Sequence, residues 1–320
     1  MSERQTLSFL SRTLQSAGLQ PKTRYGQNFL IDLNLLGILI DGAALSRTDV
    51  VLEIGTGLGS LTKTLASRAG RVITVEVDRD LQALAARELQ SIPNVELHTC
   101  DALRNKNHLR REILDAVAAA MSQIAGAKFK LVANLPYNVA TPIISNLLTE
   151  TPLVERMVVT IQKELADRIT APPGCKDYSA LSVWMQALGD CEILRVLPPS
   201  VFWPRPKVDS AILRILPRED KRRRIVDLDF FHTKLRALFF HRRKFLRSQL
   251  ATAVQEELEK PEVDAILEQQ HLEPSLRAEQ LSVEQIIDLL DACRSAVTRK
   301  DPARNNPAID ESLGEPRSED

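Results

Sequence analysis

The stretch that decides the fold of this chain is Asp49-Val-Val-Leu-Glu-Ile-Gly-Thr-Gly-Leu-Gly59, a short apolar run that enters a turn with three glycines. Ser60–Arg68 then has a helical pattern, and Arg71–Glu76 is a second apolar run. Glycines let a backbone approach a ligand closely, and a helix start offers unpaired N–H groups. Glu76 lies 21 residues after Gly55, an offset at which a carboxylate can accept both hydroxyls of a ribose. The stretch therefore predicts an open α/β sheet that binds a nucleoside-containing cofactor.

The glycine spacing distinguishes two kinds of nucleoside cofactor. A dinucleotide-binding loop has its third glycine at the sixth position, where this chain has Ser60. Here the glycines alternate, at Gly55, Gly57 and Gly59. With Glu53 before it, this loop resembles that of the class I methyltransferases, which hold S-adenosylmethionine. A third predicted strand, 94–98, leads to Asp101, which the resemblance places at the adenine amine of that cofactor. An NAD-dependent oxidoreductase is disfavoured.

A second motif, Asn134-Leu-Pro-Tyr137, closes the apolar run 129–133. It places a side-chain amide, a backbone carbonyl, a rigid turn and an aromatic ring at a strand end, where ligands bind in open α/β sheets. An exocyclic aromatic amine could use all of them, with its two N–H donors on the Asn134 amide oxygen and the Leu135 carbonyl and its ring on Tyr137. Asn-x-Pro is also ordinary turn chemistry, so alone this motif leaves a plain turn open. Candidate functional residues thus follow four predicted strands, at Gly55, Glu76, Asp101 and Asn134. This pattern predicts that they line one ligand-binding edge of one sheet.

Three motifs in order resemble the KsgA/RsmA family of 16S ribosomal RNA adenine dimethyltransferases. They are Tyr-Gly-Gln-Asn-Phe-Leu at 25–30, Asn-Leu-Pro-Tyr-Asn at 134–138 and Pro-Arg-Pro-Lys-Val-Asp-Ser at 204–210, and the match runs over about 22–290. The resemblance implies an α/β fold: a class I (Rossmann-like) S-adenosylmethionine-dependent methyltransferase core with a small C-terminal α-helical domain. It also implies methylation of small-subunit rRNA adenines to N6,N6-dimethyladenosine, with a role in small-subunit biogenesis.

The resemblance assigns three sets of residues. Those for the cofactor are Asn28, Leu30, Gly55, Gly57, Glu76, Asp101 and Asn134. Those for the target adenine are Asn134, Leu135, Pro136, Tyr137 and Phe202, the last holding the opposite side of a flipped base. For Phe202 the alternative is an ordinary core residue beside Trp203. Those for RNA are Lys207, Arg242, Arg243, Lys244 and Arg247, of which Arg243 and Arg247 are expected to share one helix face.

Charge is segregated along a chain whose formal net charge is zero. Residues 218–247 contain eleven Lys and Arg against four Asp and Glu, a local balance of +7. Residues 301–320 contain two Lys and Arg against six Asp and Glu, a local balance of −4, and their polar sequence predicts disorder. The basic segment is therefore the expected RNA contact.

At 320 residues the chain exceeds the usual size of one hydrophobic core. The expected parts are an N-terminal extension, a methyltransferase domain, a helical RNA-binding domain and an acidic tail, at 1–21, 22–217, 218–298 and 299–320. Residues 211–216 are expected as a last strand that pairs antiparallel at an edge of the sheet. Helices are expected at 230–240, 243–258, 262–269 and 283–295, and Ser282 with Gln285 resembles a capping box that opens the last of them.

Several classes are disfavoured by what the sequence lacks. The four cysteines are scattered and the five histidines form no ligand pattern, so no metal and reduced thiols are expected. No apolar run approaches the roughly 18 residues of a membrane span, and the N-terminus does not resemble a secretory signal. The expectation is a cytoplasmic monomer, not bound to membrane, whose partner is the small ribosomal subunit with its 16S rRNA.

Two alternatives stay open at this stage. One is a 23S rRNA adenine methyltransferase of the macrolide-resistance type, which would act on the large subunit. Such relatives typically have Ile where this chain has Leu135. The other is an RNA-binding or assembly factor that keeps the fold without catalysis.

Overall fold

The computed structural model describes residues 7–300, in which the chain divides into two compact units. The first unit holds the residues up to Pro172 together with Lys176–Arg222, and the second holds Pro173–Cys175 and the residues from Arg223 onward. The predicted acidic tail from 301 onward and the first six residues of the predicted extension lie outside the described residues.

The first unit is built on a seven-stranded sheet with the order β4-β3-β2-β7-β8-β11-β9. Its first five strands pair in parallel, and β11 pairs antiparallel with both β8 and β9. Two short ribbons, β1 with β10 and β5 with β6, lie outside this sheet. The architecture confirms the predicted Rossmann-like core. The strands are β1 Phe29–Leu30, β2 Asp49–Ile54, β3 Arg71–Glu76, β4 Val95–Thr99, β5 Leu103–Asn105, β6 His108–Leu109, β7 Lys128–Asn134, β8 Arg156–Gln162, β9 Gly189–Leu197, β10 Phe202–Trp203 and β11 Ser210–Pro217.

The expected edge position of the last strand is wrong. β11 pairs antiparallel as expected, but it lies inside the sheet, and β9 forms the edge. Burial explains this order, because Ala211, Ile212, Leu213 and Ile215 of β11 are all 0% exposed. Along β9, buried and exposed side chains do not alternate regularly. The strand exposes Glu192, Arg195 and Val196, which suits an edge strand with one unpaired side.

Helices cover the sheet of the first unit and close its hydrophobic core. A cluster of buried side chains joins strand residues such as Val51, Val132 and Ile212 to Leu39 and Leu65 of two helices. The helices are α1 Leu7–Ser16, α2 Leu33–Gly42, α3 Ser60–Arg68, α4 Arg79–Leu89, α5 Arg111–Ser122, α6 Ala140–Leu147, α7 Lys163–Thr170, α8 Ala180–Leu188 and α9 Glu219–Arg222.

The N-terminal segment contributes to this core. Leu10 and Leu14 of α1 are 0% and 1% exposed. They pack in one cluster with Phe29, Leu58 and Leu81, next to the glycine turn. The described part of the predicted extension is therefore part of the first unit and of its core.

The division between the units follows Arg222, five residues after the expected domain boundary. Hydrogen bonds hold the intervening segment to the first unit. The Arg218 N–H donates to the carbonyl of Leu188, and Arg218 and Lys221 both pair with Asp190, at 3.0 and 2.8 Å.

The second unit holds helices α10 Leu228–Leu238, α11 Leu246–Ala253, α12 Lys260–Gln269 and α13 Val283–Lys300. The capping box is confirmed: the Gln285 N–H donates to the Ser282 hydroxyl at 3.1 Å, and the Ser282 N–H donates to the Gln285 side chain at 2.9 Å. None of the helices in residues 7–300 is both long and apolar enough to cross a membrane.

The predicted helix 243–258 is wrong at both ends. The chain leaves α10 at Phe239 and makes a turn in which the Lys244 N–H donates to the His241 carbonyl, and α11 begins only at Leu246. Arg243 therefore lies in a turn and Arg247 in a helix, so the two do not share a helix face.

Candidate active site

An open cavity of about 790 Å³ lies at the carboxyl ends of β2, β3 and β7. The predicted residues that line it include Asn28, Gly55, Gly57, Glu76, Asn134 and Tyr137. Because parallel strands end at the same edge of a sheet, motifs far apart in sequence meet here, as the sequence predicts.

The glycine turn and Glu76 are joined by a main-chain hydrogen bond. Gly55 and Gly57 have φ values of +91° and +58°, which favour glycine. A Cβ on Gly57 would lie 3.1 Å from the ring of Phe29. The Gly57 N–H donates to one Glu76 carboxylate oxygen and the Asp78 N–H to the other, both at 2.9 Å. Burial raises the pKa of Glu76, and these bonds fix its carboxylate at the cavity wall.

Glu53 is a second buried carboxyl on the cavity wall, and sequence reasoning gave it no partners. One of its oxygens accepts from the Thr62 hydroxyl at 2.6 Å and from the Thr74 hydroxyl at 2.7 Å. The other oxygen, Oε1, has no hydrogen-bond partner among the described residues. Burial raises the pKa of Glu53 to about 8. Nothing in the sequence separates these threonines from others, because the contacts depend on the fold.

A single hydrogen bond sets the orientation of the Asn134 amide. Its Nδ2 donates to the main-chain carbonyl of Asn28 at 2.8 Å. A carbonyl only accepts hydrogen bonds, so the amide nitrogen must face it. The Asn134 amide oxygen is thereby turned to the other side, where it can accept from a ligand.

Tyr137 is held at its far end by a residue that sequence reasoning did not single out. The Tyr137 hydroxyl and the hydroxyl of Ser210 lie 2.6 Å apart. Ser210 is 0% exposed and begins β11, whereas the Tyr137 ring is half-buried. Burial raises the pKa of Tyr137. The signal that could have found Ser210 is its place as the last residue of the motif at 204–210.

The rest of the tetrapeptide is fixed by main-chain bonds. The Leu135 N–H donates to the Thr160 carbonyl of β8 at 3.1 Å, and the Val139 N–H donates to the Pro136 carbonyl at 3.1 Å. Leu135, Pro136 and the predicted Leu30 also line the cavity.

Two of the residues predicted for the cofactor and the adenine do not line the cavity. The Asp101 side chain is exposed, and its carboxylate accepts from the Leu103 N–H at 2.9 Å. Phe202 is 1% exposed and belongs to the same hydrophobic cluster as Leu30, its partner in the β1–β10 ribbon. The structure thus places Phe202 in the core, because ribbon pairing directs its ring there. Its neighbour Trp203 is half-buried and stacks on Phe29, with ring centroids 6.3 Å apart.

The predicted RNA-binding residues separate into two groups. Arg242 pairs with Glu279 at 2.7 Å, and Arg247 pairs with Asp264 at 2.5 Å. Arg243, Lys244 and, in the first unit, Lys207 are exposed. No group of three or more His, Cys, Asp or Glu side chains that could hold a metal occurs in residues 7–300.

Comparison with known proteins finds a family and relatives along most of the chain. The family model described as ribosomal RNA adenine dimethylase matches residues 18–292. The ribosomal RNA small subunit methyltransferase A of Alkaliphilus oremlandii is 38% identical over 260 residues, covering 81% of this chain and 87% of the relative. That of Halothermothrix orenii is 36% identical over 276 residues, covering 86% and 89%. The crystal structure of a dimethyladenosine transferase from Plasmodium falciparum has the same fold, with a TM-score of 0.70 and 24% identity over 83% of this chain and 97% of that one.

Proposed function

Because the chain belongs to the ribosomal RNA adenine dimethylase family, we propose that it transfers methyl groups from S-adenosylmethionine to the N6 amine of adenines in small-subunit (16S) rRNA. The product is N6,N6-dimethyladenosine. The choice of subunit follows relatives that are named ribosomal RNA small subunit methyltransferase A. The observation that carries the proposal is the fixed orientation of the Asn134 amide, which presents an acceptor at the strand end where a ligand binds.

The cavity fits the proposed cofactor. Glu76 presents a fixed carboxylate, which can accept from the two hydroxyls of a ribose. Gly57 has no Cβ, so the ring of Phe29 can pack closely on the turn, and the start of α3 that follows offers N–H groups to a ligand. Asn28 and Leu30 complete the wall, while Asp101 stays a prediction for the adenine amine. When bound, S-adenosylmethionine supplies an electrophilic methyl group on a positively charged sulfur.

The tetrapeptide orients the amine that receives the methyl group. The lone pair of an adenine N6 nitrogen is delocalised into the ring and is a poor nucleophile. The Asn134 amide oxygen and the Leu135 carbonyl accept hydrogen bonds from the two N–H groups of this nitrogen. These bonds draw the nitrogen toward tetrahedral geometry and free its lone pair. Tyr137 supplies a ring on which the base stacks. After transfer the nitrogen is strongly acidic and loses a proton, so no activated Ser, Cys or His is required.

The magnitudes are consistent with catalysis by positioning. Holding two reactants in line contributes on the order of 7–11 kcal/mol to lowering the barrier. Extruding an adenine from its stack costs a few kcal/mol, and stacking on one aromatic ring offsets about 1–3 kcal/mol. Binding of the RNA elsewhere on the chain offsets the remainder.

We propose that the enzyme acts in the cytoplasm, as a monomer, on small ribosomal subunits during their biogenesis. The mechanism uses no metal and no membrane.

The test is tritiated-methyl transfer from S-adenosylmethionine to small and large subunits from a strain that lacks the modification, followed by mass spectrometry of the nucleosides. Dimethyladenosine in the small subunit alone is expected. The Asn134→Ala variant should give none, whereas Asn107→Ala, which removes an exposed amide elsewhere, should act as wild type. Label in the large subunit alone would identify a 23S enzyme. Subunit binding without any label would identify a docking factor.

A further inference from the structure

Asp78 is a buried carboxylate next to the candidate site, and the mechanism proposed above does not use its side chain. It follows Glu76 by two residues and is 3% exposed. Its side chain accepts from the Lys22 ammonium at 2.8 Å and from the Gln27 side-chain amide at 2.9 Å. A buried carboxylate is costly unless it is paired and hydrogen-bonded. Asp78 is therefore the point at which residues 22–28, here called the strap, are fixed to the end of β3.

The Gln27 side chain is held at both of its polar atoms. Its Nε2 donates to Asp78, and its Oε1 accepts from the main-chain N–H of Lys22 at 2.7 Å. A carboxylate only accepts hydrogen bonds and an N–H only donates, so the Gln27 amide fits in one orientation. The strap is thereby closed on itself as well as on Asp78, and the backbone that leads to Asn28 is held in place.

The other end of the strap contacts the tetrapeptide at 134–137. The Asn28 carbonyl accepts from the Asn134 side-chain amide at 2.8 Å. A Cβ on Gly26 would lie 3.4 Å from the side chain of Pro136, so the backbone there packs against the turn. β3 and β7 are separated by β2 in the sheet, which puts their ends about 10 Å apart. The strap spans this distance and joins the two parts of the site.

We infer that Asp78 is a positioning residue for methyl transfer. It does not line the cavity. Through Gln27 it holds the strap, the strap fixes the Asn28 carbonyl, and that carbonyl orients the Asn134 amide. The inference rests on the proposed function, since it concerns the step in which that amide aligns the amine. The main-chain N–H of Asp78 also donates to Glu76 at 2.9 Å, so one residue connects the two ends of the proposed site.

Capping of α4 accounts for only one oxygen of Asp78. Oδ1 accepts from the Asp80 N–H at 3.1 Å, as expected of the residue that precedes a helix. Within residues 7–300, Oδ2 accepts from Gln27 only, and this bond adds nothing to the cap. The two roles can be tested separately, because asparagine caps a helix about as well as aspartate.

The test reverses the direction of the hydrogen bond between positions 78 and 27. Asp78→Asn keeps the cap but turns an N–H donor toward the Gln27 amide nitrogen, which is also a donor. Gln27→Glu places a second carboxylate against Asp78. In the double variant, the amide at 78 donates to the carboxylate at 27, which still accepts from the Lys22 N–H. Donor and acceptor are then exchanged, and the strap is held again.

Single-turnover methyl transfer to small subunits, with S-adenosylmethionine and subunits both saturating, measures the aligned step. Each single variant should transfer about ten-fold more slowly or worse, since misplacement by about 1 Å can cost about a hundred-fold. The double variant should recover most of the wild-type rate. Cofactor affinity, measured by calorimetry, should stay within a few-fold of wild type, because the N–H groups that hold Glu76 belong to the main chain.

Asp80→Asn is the matched control. Asp80 also pairs with Lys22, at 2.7 Å, but it is exposed and the Gln27 amide donates to Asp78 instead. This variant should transfer as wild type, because an exposed ion pair contributes little. A double variant no faster than the single variants would overturn the inference, as would single variants with wild-type rates. An equal loss in Asp80→Asn would overturn it too, because the effect would then follow the charge near Lys22.

Hydrogen exchange of the strap, measured by mass spectrometry with S-adenosylhomocysteine bound, separates this inference from the proposed function. Protection of residues 22–28 should fall in each single variant and return in the double variant, and this readout needs no methyl transfer. That pattern of exchange with no transfer by the wild type would overturn only the proposed activity. Transfer by the wild type, with rates and exchange that do not respond to the reversal, would overturn only the role of Asp78.

Discussion

The amide of Asn134 depends for its orientation on the main-chain carbonyl of Asn28, so the identity of its donor group matters as much as its size. Asn134→Asp would bring a carboxylate against that carbonyl, two acceptors without a proton between them. We expect methyl transfer to fall at least about a hundred-fold, as when one oriented polar group is removed from other active sites. Asn134→Ala should lose as much, with cofactor affinity within a few-fold of wild type. Calorimetric titration measures the cofactor affinity, and a methyl-transfer assay measures turnover. Turnover retained in either variant would contradict the role assigned to Asn134.

The hydrogen bond between Tyr137 and Ser210 predicts coupled effects. Tyr137→Phe and Ser210→Ala each remove one partner, so each should reduce transfer by loosening the ring on which the base stacks. Each should also lower the free energy of unfolding by about 1 kcal/mol. The double variant should resemble either single variant, because residues in contact are not additive. Additive losses would show that the two hydroxyls act separately.

Glu53 predicts a dependence of stability on pH. Its pKa is about 8 in the folded chain and near 4.5 when exposed, so between these values the folded state binds the extra proton. The free energy of unfolding should therefore be highest below the unfolded pKa and fall as pH rises toward about 8, by up to about 1.4 kcal/mol per pH unit. Glu53→Gln should remove this part of the slope. Urea unfolding across the range measures it, and equal slopes in the two proteins would show that the carboxyl is ionised in the folded state.

At the scale of elements, the helix α13 depends on its capping box. Ser282→Ala removes the oxygen that accepts from the Gln285 N–H and should cost about 1 kcal/mol of stability. Ser248→Ala, at an exposed position within α11, is the matched control and should change stability by a few tenths of a kcal/mol at most. Urea unfolding of both variants measures the difference. A loss as large at Ser248 would mean that the cap has no special role.

Elements fixed by local signals could be predicted closely. Ser60–Arg68 and Arg71–Glu76 match the expected bounds, since the glycine turn begins the helix and the apolar run defines the strand. The break between α10 and α11 could not be predicted, because residues 228–253 contain no glycine or proline. Distant hydrogen bonds end the helix there, from Gln249 to His241 and from Leu246 to Leu276. The place of β11 inside the sheet likewise depends on its pairing with β8, which lies far away in sequence.

In the candidate site too, residues set by local sequence signals could be predicted, and contacts between distant elements could not. The tetrapeptide at 134–137 and Glu76 could be placed at one edge because each ends a parallel strand. Thr62 and Thr74, which donate to Glu53, and Ser210, which hydrogen-bonds Tyr137, lie on other elements. Only the folded chain brings these side chains together. The resemblance predicts Phe202 at the target base, but the pairing of a two-residue ribbon decides where its ring lies.

At the scale of the whole molecule, the lining of the cavity lies entirely within the first unit. We therefore expect the fragment 1–222 to bind S-adenosylmethionine with an affinity within a few-fold of the full chain. The same fragment should lose most of its affinity for RNA, because the segment richest in cations is split by the cut. Calorimetry measures the affinity for S-adenosylmethionine, and fluorescence anisotropy measures the affinity for RNA. A folded fragment, shown by circular dichroism, that fails to bind cofactor would contradict the prediction.

The acceptor held in place by Asn28 also bears on when a base is released. An unmodified adenine amine has two N–H donors, its monomethyl form has one, and its dimethyl form has none. Each methyl group therefore removes a hydrogen bond that the previous species made, and an unmet buried acceptor costs about 1–3 kcal/mol. In the proposed mechanism, the finished nucleotide would leave both acceptors unmet and would bind more weakly than either precursor. The amide that we propose aligns the amine would then also limit product inhibition.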